Sequence, residues 1–148
     1  MERLSQETEK ILLERFGKDS IIALATTDDD VPYVRNVDAF YEDRAFYVLT
    51  YRLSGKMQQI EKNPVVAVSG EWFTAHGWAY DMGCFASDEN KRIAQKMREL
   101  FSAWIDNGHN DLEDENTCIL CIRLTSGVLF SDGARYEIDF SRENANDS

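Results

Sequence analysis

Three cysteines, two histidines and two prolines are all that these 148 residues contain of those types. An odd cysteine count excludes a fully paired disulfide framework. Cys118-Ile-Leu-Cys121 has C-x-x-C spacing, but it sits in what reads as a strand. Positions three apart on a strand point to opposite faces, so these are expected to be buried thiols rather than a redox or metal pair. With no second cysteine pair, and only His76 and His109 as imidazoles, no metal site is expected. The acidic loop from Asn107 to Asn116 lacks the alternating ligands of a calcium loop. Basic residues are also scarce: 16 Lys and Arg stand against 27 Asp and Glu, a net charge of -11. That argues against nonspecific docking on nucleic acid or on an anionic membrane. Any phosphate site must be built locally, against the global field. No apolar run approaches membrane-spanning length, and the N-terminus is charged rather than signal-like. A cytoplasmic protein with no membrane or nucleic-acid partner is the expectation.

What the chain does have is 43% hydrophobic residues, enough for a real core in one domain. Residues 1–140 read as that domain and 141–148 as a polar tail. Ser5 to Phe16 reads as an amphipathic helix stopped by Gly17. Ser20 to Thr27 is a nearly continuous apolar strand, expected to be buried on both faces. Asp28-Asp-Asp30 turns it into a strand from Pro32 to Tyr41, and Glu42-Asp43 turns that into the next, ending at Thr50. Strands are further expected over Val65–Thr74, Gly77–Asp81, Cys118–Phe130 and Ala134–Phe140, the last two joined by an Asp132-Gly133 turn. Ser87 is expected to cap a helix running to about Asp106, with Ile93, Met97, Leu100, Phe101, Trp104 and Ile105 as its apolar stripe. Six to seven closely connected strands and about three helices leave no room for parallel βαβ units. The expected fold is mainly β (α+β), an antiparallel barrel with peripheral helices.

The most informative stretch runs from Arg44 to Pro64. Phe46, Val48 and Thr50 share one strand face; Ala45, Tyr47 and Leu49 share the other. Ser54 then reads as the N-cap of a short helix carrying Met57 and Ile60, stopped by Asn63-Pro64. A strand ending in a hydroxyl, then Ser-Gly-Lys at a helix N-terminus, brings free N–H groups, the helix dipole and an ammonium to one point. An ordinary capped helix with a solvated Lys56 accounts for the same pattern. Arg35, mid-strand in Val34-Arg-Asn-Val37, needs a partner or a route to solvent. In a hairpin closed at Glu42-Asp43 it falls near Thr50. Arg35, Thr50, Ser54 and Lys56 then converge on one phosphate. The alternative for Arg35 is an ion pair with Asp38, Glu42 or Asp43.

Arg35-Asn-Val37, the segment from Phe46 to Lys56 ending Thr50-x-x-x-Ser54-Gly-Lys56, then Gln59-Ile-Glu-Lys-Asn-Pro-Val65, Trp72 and Gly77 follow one another in an order and spacing that resembles the pyridoxamine 5'-phosphate oxidase-like, FMN-binding split-barrel family. The resemblance implies an antiparallel split barrel, a homodimer, FMN at the subunit interface and a small-molecule substrate. It places Arg35, Thr50, Ser54 and Lys56 on the phosphate and the Asn36–Val37 backbone beside the flavin ring, with Leu49 next to Thr50. Two departures count against pyridoxamine phosphate oxidation itself. Gly55 stands where those oxidases usually carry a basic residue, and the chain ends soon after Phe140 without their Arg-containing C-terminal segment. An FMN-dependent oxidoreductase is one reading. A flavin carrier or sensor without turnover is another, and a same-fold binder of deazaflavin or haem a third. No side chain announces itself as acid or base; His76 is the nearest. Trp72, Phe73, Trp78 and Trp104 are candidate stacking walls, with core packing the competing role.

Overall fold

The alternating runs of this chain find their partners mostly in hairpins. The computed structural model describes residues 1–142. The elements are β1 (Glu2–Arg3), α1 (Gln6–Phe16), β2 (Ser20–Asp28), β3 (Val31–Glu42), β4 (Ala45–Tyr51), α2 (Gly55–Lys62), β5 (Val65–Gly70), β6 (Phe73–Cys84), α3 (Lys91–Leu100), β7 (Thr117–Ser131) and β8 (Ala134–Asp139). Strand order is β7-β4-β3-β2-β5-β6, and β6 pairs back onto β7, which closes a six-stranded antiparallel barrel. β8 extends β7 outside the ring, and the two-residue β1 pairs with β8 in parallel. The barrel is split between β3 and β4, whose ladder is only Phe40–Tyr47, Tyr41–Phe46 and Glu42–Ala45.

Two apolar clusters follow from the period-two alternation. Phe46, Val48, Leu120, Ile122, Leu24 and Phe73 point inward, with Leu12 and Phe16 from α1 and Met57 and Ile60 from α2. On the outer side, Phe40, Tyr47, Ile119 and Cys121 pack beneath Ile93, Met97, Phe101 and Ile105. Each large side chain fully buried in this way contributes about 1.5–3 kcal/mol. The C-x-x-C thiols divide between the clusters, Cys118 inside and Cys121 outside, as their spacing on a strand requires. α1 lies where a helix was expected and begins with a capping box: the Thr8 N–H donates to Ser5 Oγ (3.1 Å) and the Ser5 N–H to Thr8 Oγ1 (3.0 Å).

The α3 layer covers only part of the outer surface. Along β2, β3, β5 and β6 the outer face is bare. Ile21 is 67% exposed there, Val34 70%, Val65 46% and Trp78 54%. β2 is therefore buried on one face, not both; its apolar run reads as a two-sided strand because its outer residues are also hydrophobic. Other boundaries shift too. The β3–β4 turn is Asp43-Arg44, with φ of 45° and 66°, because Glu42 still pairs with Ala45. β5 and β6 form a hairpin at Glu71-Trp72, so the strand expected over Val65–Thr74 ends at Gly70 and the next begins at Phe73. Trp72 takes a left-handed φ of 52° there, which bulky residues rarely do, so the turn carries no sequence signal. A 3-10 turn, Asp88–Asn90, precedes α3, which stops at Leu100 rather than near Asp106. Beyond it the bonds break into turns, Trp104 N–H to Phe101 O and Asn107 N–H to Trp104 O, while Phe101 and Ile105 keep the stripe buried. Of the polar tail, residues 143–148 lie outside the described residues. Among the described residues no helix is long and apolar enough to cross a membrane.

Candidate functional site

Thr50 follows Phe46 and Val48 on the inner face of β4, where the barrel parts. The chain then turns, with the Ser54 N–H bonded to Tyr51 O at 3.0 Å, and enters α2. Ser54 has the extended backbone of an N-cap (φ -66°, ψ 158°), yet its side chain makes no capping bond. Thr50 Oγ1 and Ser54 Oγ are both buried and without a hydrogen-bond partner; among the described residues only Asp19 Oδ1 shares that condition. An unsatisfied buried hydroxyl costs about 1–3 kcal/mol; Thr50 lies near the end of β4 and Ser54 immediately before α2. The first N–H groups of α2 add donors that the helix itself cannot satisfy.

Lys56 stands one residue into that helix and is half-buried. Burial, then the nearby positive charge of Arg35, holds its ammonium below the usual lysine range. No carboxylate contributes to that shift. Burial alone lowers Arg35. None of the three acids considered for Arg35 takes it: its guanidinium donates to Leu24 O (3.2 Å), Thr26 Oγ1 (2.7 Å) and Gln59 Oε1 (3.2 Å), all neutral. Glu42 is held instead by Arg92 (2.8 Å) and Lys96 (2.7 Å). Two cations thus face each other across β3 and α2 in a chain of strong net negative charge. Arg35 reaches this place differently from the hairpin argument. The β3–β4 ladder stops at Phe40–Tyr47, and Arg35 pairs with Leu24 on β2, so Thr50 is not its cross-strand neighbour. The link to α2 runs through Gln59, which also accepts from Thr26. Thr26 and Gln59 are supports that sequence reading missed. Gln59 belongs to a stretch already singled out; Thr26 carries no signal, being one of three hydroxyls in β2, beside Ser20 and Thr27.

The remaining residues separate by face. Val37 packs toward the inner core, and Asn36 alternates to the exposed outer side. Leu49 turns into the cluster beneath α3, away from Thr50, so it offers backbone only. The bare outer face holds a groove of about 400 Å³ walled by Ala23, Ala25, Val34, Ala67, Thr74 and His76, among others. Its walls are mostly small side chains, and none of the four anion candidates lines it; Val34 adjoins Arg35 in β3. Of the four aromatic candidates, Phe73 is core. Trp104 stacks on Phe101 and donates to Asp19 Oδ2 at 3.0 Å. Trp72 meets Phe130 at a hairpin tip. Trp78 stands on the bare face.

Solved structures decide the fold class. A general stress protein 26 from Bacillus anthracis str. Sterne superposes with a TM-score of 0.65 at 20% identity, covering 89% of this chain and 99% of that one. A protein related to general stress protein 26, of the pyridoxinephosphate oxidase family, from Clostridium acetobutylicum gives 0.62 at 15%, covering 90% and 92%. The chain has the pyridoxamine 5'-phosphate oxidase-like split-barrel fold. A FAD-binding protein from Mesorhizobium loti is similar as well, with a TM-score of 0.63 at 19% identity over 84% of this chain and 92% of that one. At such identities the likeness speaks for the fold alone. No protein-family model matches the chain, and no curated protein does.

Proposed function

We propose that this chain binds FMN and acts as a flavin-dependent oxidoreductase on a small-molecule substrate. One observation carries the cofactor reading: two partnerless buried hydroxyls, Thr50 near the end of β4 and Ser54 at the N-terminus of α2, accompany Lys56 and Arg35, neither of which is paired with a carboxylate. That donor set suits a dianionic phosphate monoester, since every group in it donates or is positive. Thr26 and Gln59 hold the guanidinium in place, leaving part of its fork for the ligand. The backbone of Asn36 and Val37 in β3 would stand beside the ring system. That the similarly folded Mesorhizobium loti protein is a FAD-binding protein supports a flavin as the ligand. FMN, when bound, supplies the redox chemistry. This chain's residues bind the phosphate, orient the ring against β3 and exclude water along the small-residue groove. Among the described residues His76 and Glu137 are the two ionisable side chains on the groove wall.

The partner in this reading is a second copy of the chain. Ile21, Val34, Val65 and Trp78 leave an apolar face that none of the described residues covers, and an isologous dimer would bury it over the groove. Titration of FMN and riboflavin, with mass spectrometry of the ligand released from purified protein, tests the cofactor. FMN should be found and should bind more than tenfold tighter than riboflavin. Equal affinity would remove the phosphate site from the proposal. Sedimentation tests the assembly: a monomer at micromolar concentration with flavin bound would refute the dimer. Reduction of the bound flavin by NADH or NADPH, and its reoxidation by an acceptor, separates an enzyme from a carrier.

A further inference from the structure

The thiols of the C-x-x-C spacing face apart, but the fold makes a different pair. Cys84, at the end of β6, is the register partner of Cys118, near the start of β7. Directly opposed residues of an antiparallel ladder hold their Cα atoms about 4.5–5.5 Å apart, within the span a disulfide bridges. The two side chains also share a face. Residues directly opposite in an antiparallel ladder have their side chains on one side of the sheet, and the Cys84 thiol donates to Glu115 O at 3.2 Å, three residues before Cys118. A bulge between Asp81 and Cys84 brings two more groups to the pair. Arg52, fixed by Asp81 at 2.6 Å, lies within hydrogen-bond reach of the Cys84 thiol. Asp81, which also accepts from the Gly83 N–H at 2.7 Å, interacts with the Cys118 thiol. Cys84 is half-exposed and Cys118 is buried.

We infer that Cys84 and Cys118 form a reversible intramolecular disulfide when the protein meets hydrogen peroxide. Cys84 is the thiol that peroxide reaches. Its sulfur attacks one peroxide oxygen; the S–O bond forms, the O–O bond breaks, and the leaving hydroxide takes up the thiol proton as water. Burial, reinforced by the Asp81 charge, pushes Cys118 up to about 12, so it is not the first nucleophile and needs Asp81 to take its proton in the second step. Its sulfur then attacks Cys84 Sγ. The S–S bond forms, the S–O bond breaks, and the Cys118 proton passes by way of Asp81 to the departing hydroxide. Two thiols are oxidised and one peroxide becomes two waters. The bond ties together the points at which residues 85–117 leave and rejoin the barrel, so α3 and the acidic loop become a closed excursion. Cys118 is also the register partner of Thr50 on β4. The clip therefore lies beside the proposed anion site and uses none of its residues.

The test is hydrogen peroxide applied to the full chain, followed by alkylation in denaturant and non-reducing peptide mapping. The expected product is a Cys84–Cys118 linked peptide lighter by two hydrogens, with Cys121 alkylated. The melting temperature should rise by on the order of 5–10 °C and fall back with dithiothreitol. Cys121→Ser should behave as wild type, and Cys84→Ser and Cys118→Ser should each lose both the link and the rise. If Cys118→Ser does not fold, Cys84→Ser alone carries the comparison, its site being half-exposed. The inference is overturned by Cys84 driven to sulfinic or sulfonic acid with Cys118 still alkylated, or by Cys84 joined between two chains. Neither result bears on FMN titrations of the reduced protein, because the two sites share no residue.

Discussion

Lys56→Met removes one of two positive charges that face each other with no carboxylate between them. In the free chain that charge is unfavourable: burial and then Arg35 hold the Lys56 ammonium below its ordinary 10.5. Methionine keeps the unbranched stem and drops the charge, so the free chain should keep its stability or gain up to about 1 kcal/mol. With phosphate bound, the same charge makes a charge-assisted contact of about 1.5–3 kcal/mol. FMN affinity should therefore fall on the order of tenfold to a hundredfold, and riboflavin affinity less than about threefold. The pH dependence has a definite sign. The folded value lies below the unfolded 10.5, so between the two the unfolded chain holds more protons and the free chain grows more stable as pH rises. Lys56→Met should flatten that rise. Fluorescence titrations of both flavins, at low and high salt, and denaturant melts of the free chain across alkaline pH measure all of this. A variant that weakens FMN and riboflavin alike and destabilises the free chain would refute the reasoning and make Lys56 a structural residue.

Gly55→Arg should strengthen FMN binding several-fold without loss of stability, because a side chain there meets nothing within 4 Å and arginine suits a helix better than glycine; flavin titration and a thermal melt check it. Glu42 should set part of the acid limit of the fold. Its hydrogen bond from Arg92, opposed by burial and supported by Lys96, holds the carboxyl down at about 2, against 4.5 unfolded. Its stabilisation is whole above pH 4.5 and is lost as pH falls from there through about 2. Arg92 is largely exposed, so the contribution is discounted to on the order of 2 kcal/mol. The stability gap between wild type and Glu42→Gln should close across that acid window. Gly77→Ala should cost about 2–3 kcal/mol in denaturant unfolding, since its Cβ would sit 2.6 Å from the Arg123 carbonyl, which is backbone and cannot swing aside.

Local pattern decided the elements of this protein. Period-two alternation in Phe46 to Thr50, the cap at Ser5, the Asn63-Pro64 stop and the Asp132-Gly133 turn are each written within a few residues, because they depend on backbone geometry that neighbours impose on one another. The same locality put Lys56 and Ser54 at one helix terminus. What sequence could not decide depends on contacts made at long range. The Glu71-Trp72 turn exists because β5 and β6 pair, holding Trp72 in a conformation its own side chain disfavours. Arg35 comes to α2 through Thr26 and Gln59, because β3 leaves β4 at the split and turns to β2. The bareness of β2 on one side follows from α3 lying on the other part of the barrel. Cys118 finds Cys84, far along the chain, while Cys121, three residues away, faces a different core. Spacing along a strand fixes only which face a thiol takes; which thiol stands opposite is set by the register of the strand beside it.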